Sequence, residues 1–455
     1  MERNPTIKQF SNILKRRTTN TKELLLVVLA FLCLANLFFS MIPSMIFVFL
    51  ILFVQFYSLN KYESAFLFSL FAASIGTFFA INGIRGIGSV FLLFAFIIIG
   101  LDYKYIILQY IKLIIPLVVI FILFVISVLS TEGGDFAKEK LFNTIITGLM
   151  CSFAFAHFFY YRYKYRPILI SVFVIIYAFF TIKFSMEYYD LASPKNLLEF
   201  GYIRNMLSEI RITDFDIRIN YQGLGFMGAL ALSFIFFENK LLISKFVYVL
   251  IYLLAVIVVL YSGSRQALLT LFVIISLDIL RNKGRKSIIK STVIFILFFT
   301  LVLYGLESSN VWFITDLRNT NDIIDASGRS TLYDEGFKQF TEHPITGVGY
   351  GRYINPDKIY GGSPHNMFVE LLAETGILGV FVIFSITLFF IIKHFSYFKV
   401  LSASFGVNSI LIVFFIRSLV SADLSINIEF FSILFLIPLY YQNIRIRQQL
   451  KMSTK

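Results

Sequence analysis

The 455-residue sequence predicts an all-α integral membrane protein, a polytopic bundle of about twelve to fourteen transmembrane helices with a large outer loop. Three observations predict it. Hydrophobic residues make up 58% of the chain, where soluble domains hold about 45–50%. Apolar runs of roughly 17–25 residues recur from one end to the other, each long enough to cross a hydrocarbon core of about 30 Å. The basic clusters sort to one side of the predicted spans.

The spans fall at about 24–40, 43–59, 64–81, 87–101, 105–129, 141–160, 167–185, 221–238, 244–261, 265–281, 288–306, 367–392, 402–420 and 427–441. Twelve or so remain if one or two short segments re-enter or lie flat. The first two form a tight hairpin over "MIPS". Under this count "KRR" (15–17), "YYRYKYRP" (160–167), "RNKGRK" (281–286) and the tail "NIRIRQQLKMSTK" (443–455) share one face. About 25 of the 40 Lys and Arg lie there, which makes that face cytoplasmic and puts both termini inside. The formal charge of +13 is read as this positive-inside bias, and no nucleic-acid partner is expected. Cys33 and Cys151 lie in apolar runs and suggest neither a disulfide framework nor a zinc site.

The chain then divides into a cytoplasmic N-terminal segment (1–23), N-terminal transmembrane helices (24–185), a first outer loop (186–220), central transmembrane helices (221–306), a large outer loop (307–366), C-terminal transmembrane helices (367–441) and a cytoplasmic tail (442–455). The basic lead-in "MERNPTIKQFSNILKRRTTNTKE" reads as cytoplasmic rather than as a cleaved signal. Loops as long as the two outer ones are more often functional than idle.

Charged groups at membrane depth are costly and tend to face a cavity or a partner. In "YSGSRQALLTLF", Ser264 is a plausible N-cap for a helix starting at Arg265. Free backbone N–H groups, the helix dipole and a guanidinium would together suit an anion such as phosphate; the alternative is an arginine snorkelling to headgroups. Arg218 precedes the next predicted helix start, with Arg211 and Arg204 at seven-residue steps upstream. Surface pairing with Asp214 and Asp216 is the alternative there. His365 would sit at the start of a helix whose dipole keeps the imidazole neutral and able to accept a proton. Asn366 follows it, and Glu370 and Glu374 share the face of that helix. The two glutamates suit holding sugar hydroxyls, orienting an arginine, or pairing within the bundle. The glycines of "TGVGYGRY" (346–353) read as turn residues that fold the loop back on the bundle, with Arg352 and, upstream, Arg329 as weaker anion candidates. Arg417 and Asp423 read as a buried ion pair. No metal site is predicted: there is no HExxH or His-x-x-x-His.

Taken in order, "SGSRQALLTLF" (262–272), "SGR" (327–329), "HPITGVGYGRY" (343–353) and "PHNMFVELLAETGILGVFVIF" (364–384) resemble the bacterial O-antigen ligase and polymerase family. These are membrane glycosyltransferases, with a fold of the GT-C kind, that use undecaprenyl-pyrophosphate glycans. The resemblance implies His365 as the base and Arg265 as an anion ligand, with Arg218 matching more loosely. Where the family often has a bulky residue after "GR", Tyr333 is nearest. The reading that follows is a polysaccharide polymerase of the inner membrane that joins lipid-linked repeat units at the outer face, by inverting transfer without metal or cofactor. Its partners would be a lipid-linked donor and acceptor, membrane lipids, and a chain-length regulator and flippase. The alternatives are a ligase that moves the chain to lipid A core and, from another class, a lipid-linked oligosaccharide flippase. A flippase would want a polar path at the midplane, where only Lys112 stands out. A related cell-wall polymerase would want an acidic base such as Asp322, Asp325 or Asp334.

Overall fold

A computed structural model describes residues 26–39, 42–59, 63, 64, 67, 118–129, 135–144, 167–196, 199, 201–203, 206, 221–235, 245–281, 329–354, 363–394 and 405–420. Regular structure among the described residues is helical throughout, with no strand. In chain order the helices are α1 (Leu26–Phe39), α2 (Ser44–Ser58), α3 (Val118–Leu129), α4 (Asp135–Asn143), α5 (Pro167–Tyr189), α6 (Tyr221–Ile235), α7 (Lys245–Ser262), α8 (Arg265–Arg281), α9 (Arg329–Glu342), α10 (Met367–His394) and α11 (Phe405–Val420). Ile168–Glu187 in α5 and Met367–Phe389 in α10 are long and apolar enough to cross a membrane. The segments expected to span at 87–101, 288–306 and 427–441, nearly all of 64–81, and the basic clusters at 15–17 and 443–455 lie outside the described residues.

The chain divides into two compact units. The first holds residues 1–88, 162–271 and 405–410. Its centre is α5, on which α2, α6 and α7 pack, with α6 also against α7. Small residues permit the closest approach. A Cβ on Gly228 would stand 2.7 Å from Val259 Cγ2 and 2.9 Å from the Ala255 carbonyl oxygen, the small-residue helix contact common where apolar helices pack in lipid. Ser171 Oγ of α5 donates to the Ala231 carbonyl of α6 at 2.7 Å. The expected α1–α2 hairpin is closed by Asn36, whose amide donates to the Ile42 carbonyl and accepts the Ile42 N–H, both at 2.8 Å. Buried polar groups along α5 are likewise satisfied: Tyr177 donates to Gln55 Oε1, and Gln55 Nε2 donates to the Ser64 carbonyl at 3.3 Å.

The second unit holds residues 89–161, 272–404 and 411–455. Here α9 packs along the first half of α10; a Cβ on Gly336 would come within 2.5 Å of Val369. The continuous span expected at 367–392 is instead two helical pieces, because Gly376 takes φ 61° and ψ −165°. Gly376 lies in an apolar run, where it reads as a tolerated helix interior; the cause of the break is the loop packed against it, described below. α4 also departs from expectation. It begins at Asp135, ahead of the span expected at 141–160, nearly all of which lies outside the described residues, and it buries Ala137 and Lys140 on one face.

Large apolar side chains are exposed at helical spacing on several helices. Ile46, Phe49, Phe53 and Tyr57 line α2; Ile122, Ile126 and Leu129 line α3; Ile377, Phe381, Phe384, Leu388 and Ile392 line α10 beyond Gly376. Stripes of this length are the kind of surface a bilayer covers, and water does not tolerate them on an isolated soluble domain.

Candidate functional site

The amino-terminal end of α10 is built by its sequence. Asn366 caps the helix: its Oδ1 accepts the N–H groups of Phe368 (3.0 Å) and Val369 (3.3 Å), and its carbonyl accepts the Glu370 N–H at 3.0 Å. His365, the residue before the cap, has φ 53°, a left-handed conformation that non-glycine residues seldom adopt. Its N–H donates to Ser363 Oγ at 3.2 Å, and its side chain is exposed. Backbone conformations of this kind collect at functional sites.

One and two turns into α10, Glu370 and Glu374 are both fully buried, and they share a partner. Lys140 of α4 reaches Glu370 Oε1 at 2.6 Å and Glu374 Oε1 and Oε2 at 2.7 Å each. Its ammonium also stands 4.9 Å above the ring of Tyr350. That ring stacks on Phe124 of α3 at 4.3 Å, its hydroxyl shares a hydrogen bond with Thr144 Oγ1 at 2.6 Å, and the Tyr350 N–H donates to Ser127 Oγ at 2.8 Å. The Tyr353 N–H donates to Glu374 Oε1 at 3.3 Å, and its hydroxyl to the Leu332 carbonyl of α9. Burial, with Glu335, Glu370 and Glu374 nearby, pushes the Tyr353 phenol up, so it stays protonated and keeps its proton for the Leu332 carbonyl. One ion cluster thus joins α3, α4, α9, the loop and α10.

The loop 343–354 closes onto the break in α10. Gly347, Gly349 and Gly351 all have positive φ, as expected of turn residues folding the chain back. The N–H groups of Val348 and Gly349 donate to the carbonyls of Ala373 and Glu374, while those of Ile377 and Leu378 donate to Pro344 and Ile345. The helix interruption leaves these donors and acceptors without their in-helix partners, and the loop supplies replacements. Two glycines make the approach possible. A Cβ on Gly347 would lie 2.3 Å from the Glu374 carbonyl carbon, and one on Gly376 would lie 2.4 Å from the Ile345 oxygen.

Arg352 is half-buried in this loop, and its N–H donates to the Gly349 carbonyl at 3.0 Å. Arg329 is the first residue of α9, and Tyr333 lies half-buried one turn on. These residues, with His365, Asn366, Glu370 and Glu374, belong to the second unit. Lys140 is the residue that sequence reasoning missed. Nothing in the sequence singles it out; in the structure Ala137, Lys140 and Thr144 are buried along one face, while Lys138 and Glu139 are exposed.

The first unit holds the other candidate. Gly263 has φ 64° between α7 and α8, and Ser264 caps α8 as expected, its Oγ accepting the Ala267 N–H at 3.3 Å. Arg265 is the first residue of α8. The turn is braced by Ser262 Oγ, which accepts the Ser264 N–H at 3.1 Å, and by the Gly201 N–H, which donates to Leu260 at 2.8 Å. Tyr261 donates to the Asn196 carbonyl at 3.2 Å. α6 reaches the same turn: a Cβ on Gly225 would stand 2.5 Å from Ala267 Cβ and 2.9 Å from Ser264 Cβ. Arg204, Arg211, Asp214, Asp216, Arg218, Asp322, Asp325, Asp423 and Lys112 lie outside the described residues. Arg417 is buried in the last turn of α11. Among the described residues, no three His, Cys, Asp or Glu side chains gather to hold a metal ion.

Residues 250–384 match the family model described as O-antigen ligase, which supports the O-antigen ligase and polymerase resemblance carried by the motifs. No curated protein and no solved structure matches the chain.

Proposed function

Proceeding from an O-antigen ligase region at residues 250–384, we propose that the protein transfers a glycan from a lipid pyrophosphate to a sugar hydroxyl at the outer face of the bacterial inner membrane. The observation that carries this reading is His365: exposed, on a left-handed backbone, at the capped start of α10, inside the matched region. The imidazole accepts the proton of the acceptor hydroxyl. The hydroxyl oxygen bonds to the anomeric carbon as that carbon's bond to the phosphate oxygen breaks, inverting the centre. The lipid pyrophosphate leaves with the electron pair. The α10 dipole favours the neutral ring that this role needs.

Arg265, at the start of α8, takes the pyrophosphate, aided by the positive end of that helix's dipole. Arg218 precedes α6 by three residues in sequence, and α6 meets the Ser262–Ser264 turn at Gly225, so it is assigned to the same anion. Arg352 and Arg329 are weaker anion candidates, and Asn366 and Tyr333 candidates for the sugars. Exposed apolar stripes support a bundle that crosses the membrane, and the one-sided basic clusters of the sequence support both termini inside.

The acceptor is proposed to be a second lipid-linked repeat unit, which makes the protein a polymerase; the alternative acceptor is lipid A core, which makes it a ligase. In a deletion strain, single repeat units accumulate in the first case and full-length chains stay on the lipid carrier in the second. His365→Ala should insert normally and lose about 10²–10⁴-fold in turnover of lipid-linked repeats by purified protein in nanodiscs. Native turnover in that variant would end the base assignment.

A further inference from the structure

The ion cluster under α10 has no role in the chemistry above, yet a buried charge without purpose is expensive. Lys140 binds both carboxylates from a segment 230 residues away in sequence, and every one of the three side chains is about 1% exposed or less. The two glutamates stand one and two turns beyond the Asn366 cap, on the piece of α10 that ends at Gly376. That piece carries His365 at its head and is tied to the rest of its helix only through a break. It needs a lateral hold, and the cluster supplies one.

We infer that Lys140 is a positioning residue for the transfer reaction: through Glu370 and Glu374 it fixes the first piece of α10, and so the direction in which His365 is presented. Three short charge-assisted bonds from one ammonium define a single rotation and height of the helix. Apolar packing alone would tolerate several. The Tyr350 ring and the Tyr353 N–H close the remaining sides of the cluster, so the loop and the helix settle together. This inference rests on His365 as the reacting base, and the glutamates then act from beneath rather than on the sugar.

The test uses full-length protein in nanodiscs. Lys140→Met leaves two carboxylates buried without their cation and can fail to fold. The companion variant combines Lys140→Met, Glu370→Gln and Glu374→Gln, which keeps the volume and removes the charge. Turnover and KM for lipid-linked repeats are measured beside the imidazole resonances of labelled histidine, with the His365 signal assigned by its loss in His365→Ala. The triple variant is expected to match native yield and thermal midpoint. Its turnover should fall about 10²-fold with KM within about threefold, the size expected of a small misplacement of a reacting group. Its His365 resonance should broaden or double where the native one is single and narrow. A native His365 resonance in the triple variant, or native turnover, overturns the inference. Full activity in His365→Ala would remove the base assignment alone, and the resonance would still decide whether Lys140 positions the ring.

Discussion

α5 and α10 contain stretches of nearly equal hydropathy and similar length, yet 94% of the apolar window in α5 is buried and only 39% of that in α10. α5 is surrounded by α2, α6 and α7, so its apolar side chains meet other helices. α10 is of two kinds. Before Gly376 it is sealed by α4, α9 and the loop; beyond Gly376 it turns Ile377, Phe381, Phe384, Leu388 and Ile392 outward. Hydropathy thus reports that a segment avoids water. It does not report whether protein or lipid takes water's place. The break at Gly376 marks where burial gives way to exposure, and the Lys140–Glu370–Glu374 cluster lies on the sealed side.

The sharpest way to break this comparison is Gly376→Ala. A left-handed φ of 61° and a Cβ placed 2.4 Å from the Ile345 oxygen both oppose it. The expected cost is about 2–4 kcal/mol from backbone strain and overpacking together, read as a lower thermal midpoint in nanodiscs with faster amide exchange across 343–378. A midpoint equal to that of the native protein would mean the helix can run straight and the boundary is illusory. Asn366→Ala should cost about 1 kcal/mol as a lost cap. Its exchange should rise only in the first turn of α10 and leave residues 377–394 untouched; a change spreading past Gly376 would show that the two pieces are one cooperative helix. Smallest of all, Phe384→Leu on the outward face should alter stability by less than about 0.5 kcal/mol. A larger loss would mean that this face packs on protein.

Much of the local structure was legible. The runs at 167–185, 221–238, 244–261 and 265–281 are helical with ends close to those expected, because long apolar segments and their caps are encoded nearby. Ser264 announced its cap, and Glu370 and Glu374 announced a shared face by four-residue spacing. The glycines of "TGVGYGRY" announced a fold-back, though not its target. Lys140 could not be paired with the glutamates from sequence, since nothing local links α4 to α10. Gly376 was hidden because Thr-Gly-Ile-Leu-Gly inside an apolar run is compatible with a continuous helix, and only the opposing backbone of residues 344–349 makes a break favourable. His365 was chosen for its chemistry; its left-handed backbone is a property of the Pro-His-Asn turn that residue type alone does not reveal.

The exchange of main-chain hydrogen bonds between residues 344–349 and 373–378 has a practical corollary for anyone building hybrids of such enzymes. A 343–354 loop transplanted from another protein would have to arrive with its own stretch of helix, so that roughly 343 to 379 travels as one cassette. Swapping the loop by itself would strand amides and carbonyls at the junction, and the graft would be lost in assembly before any activity could be assayed.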